Sequence, residues 1–283
     1  WTELGILSHL SLAIALSASV HQVLAQDTQL GPVTVEASLE AAPGLGETSV
    51  EEETLDFLRA QTSDTASLLR DVPGISLNNA GGVSSLPSIR GLADDRLRIK
   101  VDGMDFIASC PNHMNPPLSY IDPSNIGALK VFSGITPVSV GGDSIGGTII
   151  AETRKPEFAA PGEAALIKGE LGTFYRSNND AYGVNASVSQ ATDAFSISYN
   201  GSWNRADNYT AGGGFKDFKA TGRPGHTLAV DEVGSTAYDT QNHTLGIAFK
   251  AGSDLFDAQL GYQNMLEQLY PNQRMDLLDN EQK

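Results

Sequence analysis

Five segments in the second half of the chain, each about ten residues long, alternate apolar with small or polar side chains: Glu163 to Gly172, Ala181 to Gln190, Ala194 to Trp203, Thr240 to Lys250 and Leu255 to Gln263. In the third, Phe195, Ile197 and Tyr199 alternate with Ser196, Ser198 and Asn200. Successive side chains of a strand point to opposite faces, so each segment reads as a strand with one apolar and one polar face. A strand that crosses a bilayer needs ~9–11 residues, with its apolar face to lipid and its polar face to a lumen. A soluble β-sandwich is the competing reading, but its strands average only ~5–6 residues with turns every ~8–12, and these segments supply no second hydrophobic face. Short turns at 191–193 and 251–254 contrast with a long polar stretch over 204–237. That asymmetry is the one produced by short periplasmic turns and longer external loops. The pattern predicts part of a transmembrane β-barrel.

Composition fits this reading. After the first 25 or so residues no stretch approaches the ~20 apolar residues of a membrane-spanning helix, so any crossing must use strands. The 283 residues carry 34 acidic and 18 basic side chains, a formal charge of −16 that argues against a nucleic-acid partner. Hydrophobic residues at 40% and charged ones at 18% exclude general disorder. The one cysteine, Cys110, excludes a disulfide framework within the chain.

The ends differ in character from the middle. Residues 4–20 are an apolar run, followed by Val23-Leu24-Ala25 and then Gln26-Asp27. This is the core and small-residue cleavage site of a secretory signal peptide, assigned here to residues 1–25; a core helix or a short anchor is the alternative. The basic stretch that normally precedes such a core is missing before Trp1, and the chain stops at Asn280-Glu281-Gln282-Lys283 without a finishing element. Both ends predict a piece of a longer protein. Residues 26–50 are polar and spaced by Pro and Gly, and read as a mobile arm. Within it, Gly31 to Glu36 is a β-prone patch suited to pairing with another protein's sheet edge, or else to serving as the first strand of the next domain.

Residues 51–156 read as a small α+β domain of short elements. Thr54 to Leu69 suggests two short helices broken around Thr62-Ser63-Asp64. A Pro73-Gly74 turn introduces a strand at Ile75 to Leu77, and Leu86 to Arg90 reads as a second. Arg96 to Val101 alternates into a third, closed by the turn Asp102-Gly103. Ile126 to Ser133 supplies a helix end and a fourth strand, and Thr148 to Thr153 a fifth. Gly74, Gly103, Gly142 and Gly147 read as turns or close backbone approaches. The run Gly141 to Gly147 lacks the Lys-Ser/Thr ending of a phosphate loop, which argues against nucleotide binding. Arg90 and Asp102 are candidates for ion pairs between this domain and a surrounding wall. Ser, His and Asp residues are scattered without a nucleophile arrangement, so no enzyme is expected and no cofactor is required.

The order of motifs is specific. Leu69-Arg70-Asp71-Val72-Pro73-Gly74 is followed by Ser88-Ile89-Arg90-Gly91-Leu92, Ile99-Lys100-Val101-Asp102-Gly103, Ile121 to Ile126, Lys130 to Ile135 and Gly141 to Gly147. Together they resemble the plug domain of TonB-dependent outer-membrane receptors of Gram-negative bacteria, over residues 30–156 strongly and over the strands that follow weakly. The resemblance implies a plug at 51–156 inside a 22-stranded barrel that begins at 157, and a TonB box containing Val33, Thr34 and Val35. Its implied partners are TonB with the inner-membrane energising complex, outer-membrane lipid, and a metal or metal-chelate substrate. Size agrees: the stretch of about 125 residues over 30–156 has a radius of gyration of about 14 Å, which only a wide, plugged barrel can enclose. The residues from 157 to 283 make only about five strands, so they cannot close such a barrel.

One loop carries metal-binding chemistry. Between Ile107 and Pro117, Cys110 and Met114 stand in a Cys-x-x-x-Met spacing with His113 between them. A thiolate, a thioether and an imidazole within five residues form a soft donor set suited to Cu(I). The run Cys110 to Tyr120 resembles that of TonB-dependent copper receptors, which implies Cys110 and Met114 as copper ligands; His113 between them is a further candidate. That resemblance also implies a His-x-Met pair in the barrel, which these 283 residues do not contain. Two other readings stay open: another substrate of the same transporter class (siderophore, haem or cobalamin), or a structural loop in which Cys110 and Met114 simply pack. His226 and His243 have no ligand-like companion. A non-transporting outer-membrane binding protein is the alternative in function.

Overall fold

The computed structural model describes residues 46–282 apart from 51, 80, 143, 222, 223 and 271–274. The signal segment and the Val33–Val35 patch lie outside the described residues.

The first half builds a five-stranded sheet in the order β1-β6-β7-β4-β5, from β1 (Glu47–Val50), β4 (Leu97–Val101), β5 (Met104–Phe106), β6 (Ile126–Ser133) and β7 (Gly147–Thr153). β4 and β7 run parallel and the other neighbours antiparallel. A two-stranded ribbon, β2 (Ile75–Asn79) with β3 (Ser85–Ile89), stands apart from it. The edge strand β1 comes from the last residues of the stretch read as the arm. The broken helix takes the form of α1 (Glu52–Arg59) and a 3-10 turn, Thr65–Leu69. Leu55 and Leu58 lie one helical turn apart and are both buried, so α1 presents one apolar stripe to the core, where it meets Leu68, Leu69 and Ile126.

One detail corrects the sequence reading. Residues 126–133 are strand throughout, and the helical turn falls just before them at Pro123–Asn125, capped by the Asp122 carboxylate, which accepts from Ser124 N at 2.9 Å. Pro at the first turn position has no N–H to leave unpaired, which fits it to start such a turn. The four plug glycines do take positive φ, at +83°, +80°, +54° and +135° for Gly74, Gly103, Gly142 and Gly147. At Gly147 a Cβ would lie 2.2 Å from the Phe132 carbonyl oxygen, so the β6–β7 approach there requires glycine.

The second half is a single antiparallel sheet in sequence order: β8 (Leu166–Arg176), β9 (Ala181–Ala191), β10 (Phe195–Ala206), β11 (Tyr238–Ala251), β12 (Asp254–Tyr270) and β13 (Met275–Gln282). The six strands include one, β13, that alternation does not announce. β8 begins three residues after Glu163, and β12 runs seven residues past Gln263. Directly paired residues share a face. The rows Phe195–Phe249–Phe256, Ile197–Ile247–Ala258 and Tyr199–Leu245–Leu260 form one face, and Asn200–Thr244–Gly261 and Ser202–Asn242–Gln263 form the other.

The polar face packs on the plug. The apolar face is covered by no other described element: Leu260 is 72% and Phe249 46% exposed. A sandwich would bury this face, whereas a barrel presents it to lipid. From the Phe195 row to Trp203, which meets Tyr182 edge-on at 5.4 Å, is eight residues of tilted strand. That is about 20 Å of height between two aromatic borders, close to the apolar band of such barrels. No helix among the described residues is long and apolar enough to cross a membrane.

Candidate functional site

Plug and wall meet through a ladder of hydrogen bonds, most of them between uncharged groups. Thr153 Oγ1 and the Gln259 carboxamide bond each other, Asn125 Nδ2 donates to Thr244 Oγ1 at 3.3 Å, and Gln263 Nε2 donates to the Ser119 carbonyl at 3.1 Å. Asp122 Oδ2 accepts from Asn204 Nδ2 at 3.0 Å and from Asn242 Nδ2 at 3.2 Å. Nearer the long-loop end, Arg176 Nη2 donates to Ser63 Oγ and Tyr238 OH at 2.7 and 2.9 Å.

The expected ion pairs of Arg90 and Asp102 with the wall are absent among the described residues. The Asp102 carboxylate accepts from Thr153 N at 2.8 Å within the plug. The wall-directed ion pair is instead Arg154–Glu170 at 2.9 Å. The reason is register: Asp102 follows the β4 end, which lies beside β7 in the middle of the sheet, so the nearest free donor is a β7 backbone N–H.

The Ile107–Pro117 loop leaves β5 and is tied down at both ends. Ser109 N donates to Tyr120 OH at 2.7 Å, and the Asn115 carbonyl lies 3.0 Å from the same hydroxyl. Asn115 also reaches the wall. Its Nδ2 donates to Gln268 Oε1 at 3.2 Å, and its Oδ1 accepts from Tyr270 OH at 3.1 Å. Between these ties the chain makes a tight turn in which His113 N donates to Cys110 O at 2.9 Å. His113 adopts a φ of +52°, a left-handed conformation that reverses the chain. Cys110 is half-buried and Met114 is buried at 5% exposure.

The turn thus brings Cys110 and His113 into one hydrogen-bonded unit with Met114 following inward. The imidazole does not stand free: His113 Nε2 is 3.9 Å from Asp94 Oδ1, across a groove on the plug's own surface. No group of three or more His, Cys, Asp and Glu side chains arranged for a metal occurs among the described residues. The soft donors in hand are therefore Cys110 and Met114, with His113 turned toward a carboxylate. Ala108 and Ser109, at the loop's start, also border a cavity of about 970 Å³ between the plug and β10–β12, lined on the wall side by Asn200, Ser202, Asn242 and Gln263.

Asn115, Asp122, Gln263, Gln268 and Tyr270 are contacts that reading the sequence misses. Gln268 and Tyr270 are hidden by a bulge. Tyr238 pairs with Gln268 and Asp239 with Glu267, but Thr240 pairs with Met265, so Leu266 is extra. An extra residue inverts the inward-outward phase beyond it. Strict alternation from Leu260 and Tyr262 would send residues 268 and 270 to lipid; the bulge turns them onto the plug loop, where both are fully buried.

His243, unassigned from sequence, lies on the outward face. Its Nδ1 is 2.8 Å from Tyr199 OH, and its ring lies between those of Tyr199 and Tyr262.

The family model described as the TonB-dependent receptor plug domain matches residues 46–148. No curated protein sequence matches the chain. Among solved structures, the copper transporter OprC superposes with a TM-score of 0.66 at 23% identity, covering 84% of this chain and 33% of that one. The FrpB iron transporter from Neisseria meningitidis (F3-3 variant) gives 0.60 at 21%, covering 78% and 31%. The Serratia marcescens hemophore receptor HasR, a double mutant in complex with HasA and heme, gives 0.59 at 18%, covering 82% and 33%. At these identities the likeness is one of fold, and the chain spans about a third of the length of each structure. This is a class of receptors and transporters rather than of enzymes. Residues 46–148 thus match the plug domain of TonB-dependent receptors, and the antiparallel sheet that follows has the fold of the barrel wall in the solved receptors.

Proposed function

We propose that this receptor imports copper, bound first through Cys110 and Met114 on the plug loop. Its location is the outer membrane of a Gram-negative bacterium. The observation that carries the substrate is the soft donor pair on one reversed turn, tied to the plug by Tyr120 and to the wall by Asn115. Thiolate and thioether favour Cu(I) over oxygen-preferring cations. The Cys110 thiol gives up its proton to solvent as the metal–sulfur bond forms. His113, whose Nε2 lies 3.9 Å from Asp94 Oδ1, is a candidate further donor. TonB, energised from the inner membrane, then pulls the arm at Val33–Val35 and loosens a plug held largely by uncharged hydrogen bonds. A resident cofactor has no part in this scheme.

A second reading keeps the transporter class and replaces copper with a chelate such as a siderophore, haem or cobalamin. That no group of three or more His, Cys, Asp and Glu side chains arranged for a metal occurs among the described residues favours it. Copper bound per molecule of full-length protein separates the readings, measured in wild type, Cys110→Ala and Met114→Ala. Loss in both variants supports the site, and equal copper in all three rejects it. Cys110→Ser is expected to be nearly as damaging as Ala, because a hydroxyl is a hard, weak donor for Cu(I). Deleting residues 31–36 is expected to abolish uptake and leave binding intact. Unchanged uptake would instead point to a binding protein without energy coupling.

A further inference from the structure

The hydrogen bonds around Asn115 run in one direction and stop at an unused donor. Tyr270 OH donates to Asn115 Oδ1, and Asn115 Nδ2 donates to Gln268 Oε1. Gln268 Nε2, the other half of that carboxamide, has no partner among the described residues, although Gln268 is 0% exposed. A buried N–H without an acceptor costs ~1–3 kcal/mol, and such groups are rare enough to need a reason. The donor lies where the wall touches the candidate loop: its own amide oxygen holds Asn115, the residue after Met114, and Cys110 is within electrostatic range of the Tyr270 hydroxyl. The Leu266 bulge is what turns Gln268 and Tyr270 to this spot.

We infer that Asn115, Gln268 and Tyr270 form the wall-side half of the metal site, in which Gln268 Nε2 donates to the metal-bound sulfur of Cys110; this rests on the copper reading of Cys110 and Met114. A metal thiolate keeps negative charge on sulfur and accepts hydrogen bonds. A neutral amide supplies one without setting a second positive charge beside the metal, as Lys or Arg would. Gln268 is thus a positioning residue: it orients a ligand and does not bind the metal. Because the ligands sit on the plug and the donor sits on the wall, the bound metal is gripped across the interface that must open during import.

The test is a double-mutant cycle for Cu(I) affinity in full-length protein, by competition with a chromophoric chelator under reducing conditions. It uses wild type, Gln268→Leu, Asn115→Ala and the double variant, with Cys110→Ala alongside. Removing a hydrogen-bond partner of a metal ligand typically lowers affinity about 10- to 100-fold. We expect a loss in that range for Gln268→Leu in both backgrounds, together with a shift of the sulfur-to-copper charge-transfer band. Wild-type affinity in Gln268→Leu overturns the inference. So does a loss that vanishes once Asn115 is Ala, because Gln268 would then only seat the loop. If Cys110→Ala keeps wild-type copper, the reading of the site itself fails and the inference falls with it. If only Cys110→Ala loses copper, the site stands and the role of Gln268 does not.

Discussion

Replacing Asp122 with Ala should loosen the plug from the wall by about 2 kcal/mol. The carboxylate joins three elements: Oδ1 caps the Pro123–Asn125 turn, while Oδ2 accepts from Asn204 on β10 and Asn242 on β11. A hydrogen bond to a charged group is worth ~1.5–3 kcal/mol. Two such bonds to the wall would suggest about twice that, but Asn242 Nδ2 also has Ser202 Oγ at 3.2 Å and is not orphaned. Asn204, at 5% exposure, loses its acceptor outright. Relief from holding an ionised carboxylate at 9% exposure offsets part of the loss. About 2 kcal/mol is roughly a thirtyfold change in the ratio of seated to displaced plug. The assay is single-channel conductance of the full-length protein in planar bilayers as urea is raised, since a displaced plug opens the lumen. Asp122→Ala should open at lower urea than wild type. Asp102→Ala should shift the threshold less, because the Asp102 carboxylate bonds Thr153 inside the plug and leaves the Asn204 and Asn242 contacts in place. Identical urea thresholds for Asp122→Ala and wild type would refute the argument that this carboxylate ties plug to wall.

Three further outcomes follow from the geometry. Leu245→Arg, in the middle of the outward apolar face, should cost ~2–4 kcal/mol of folding into lipid vesicles, and Phe249→Arg, in the border row, ~0–1; equal costs would contradict the assignment of depth. Gly147→Ala forces a side chain onto a φ of +135° with its Cβ 2.2 Å from Phe132 O, so the urea midpoint of the plug should fall by more than that of Gly103→Ala, where a Cβ meets nothing within 4 Å. Burial raises the Asp64 carboxyl above its ordinary value, only partly opposed by its bonds to Ser67 and Ser85. Its contribution to stability is therefore fullest below the ordinary carboxylate value and is lost as pH rises through the raised one. Asp64→Asn should remove that part of the decline, so that its stability relative to wild type increases as pH rises from the ordinary carboxylate value through the raised one; a constant difference would show that Asp64 does not titrate in the fold.

Much of the architecture was legible in the chain because short-range rules govern it. The break between Arg59 and Thr65, the Asp102-Gly103 hairpin and the strands ending at Val101 and Thr153 follow from turn chemistry and alternation. The period-2 pattern of Phe195 to Asn200 announces one face for lipid and one for the plug, and the rows across β10–β12 have that arrangement. The Cys110–Met114 spacing was equally visible as a soft donor set. What His113 faces was not visible: its neighbour Asp94 is nineteen positions away, brought close by the left-handed turn at His113 itself. Likewise the pairing of Asp122 with Asn204 and Asn242 depends on which strand lies beside the plug, and no local pattern encodes that.

The sequence by itself determined that the second half would be amphipathic strands and that one loop would hold the chain's only thiol beside a thioether. The periodicity of a strand and the softness of sulfur are properties of the residues alone. Only the tertiary structure decided which side chains meet that loop. Alternation sends residues 268 and 270 outward, and the single extra residue at Leu266 reverses them, placing Gln268 and Tyr270 against Asn115. A bulge is a property of two paired strands, so the phase it resets is defined only once both strands are in place.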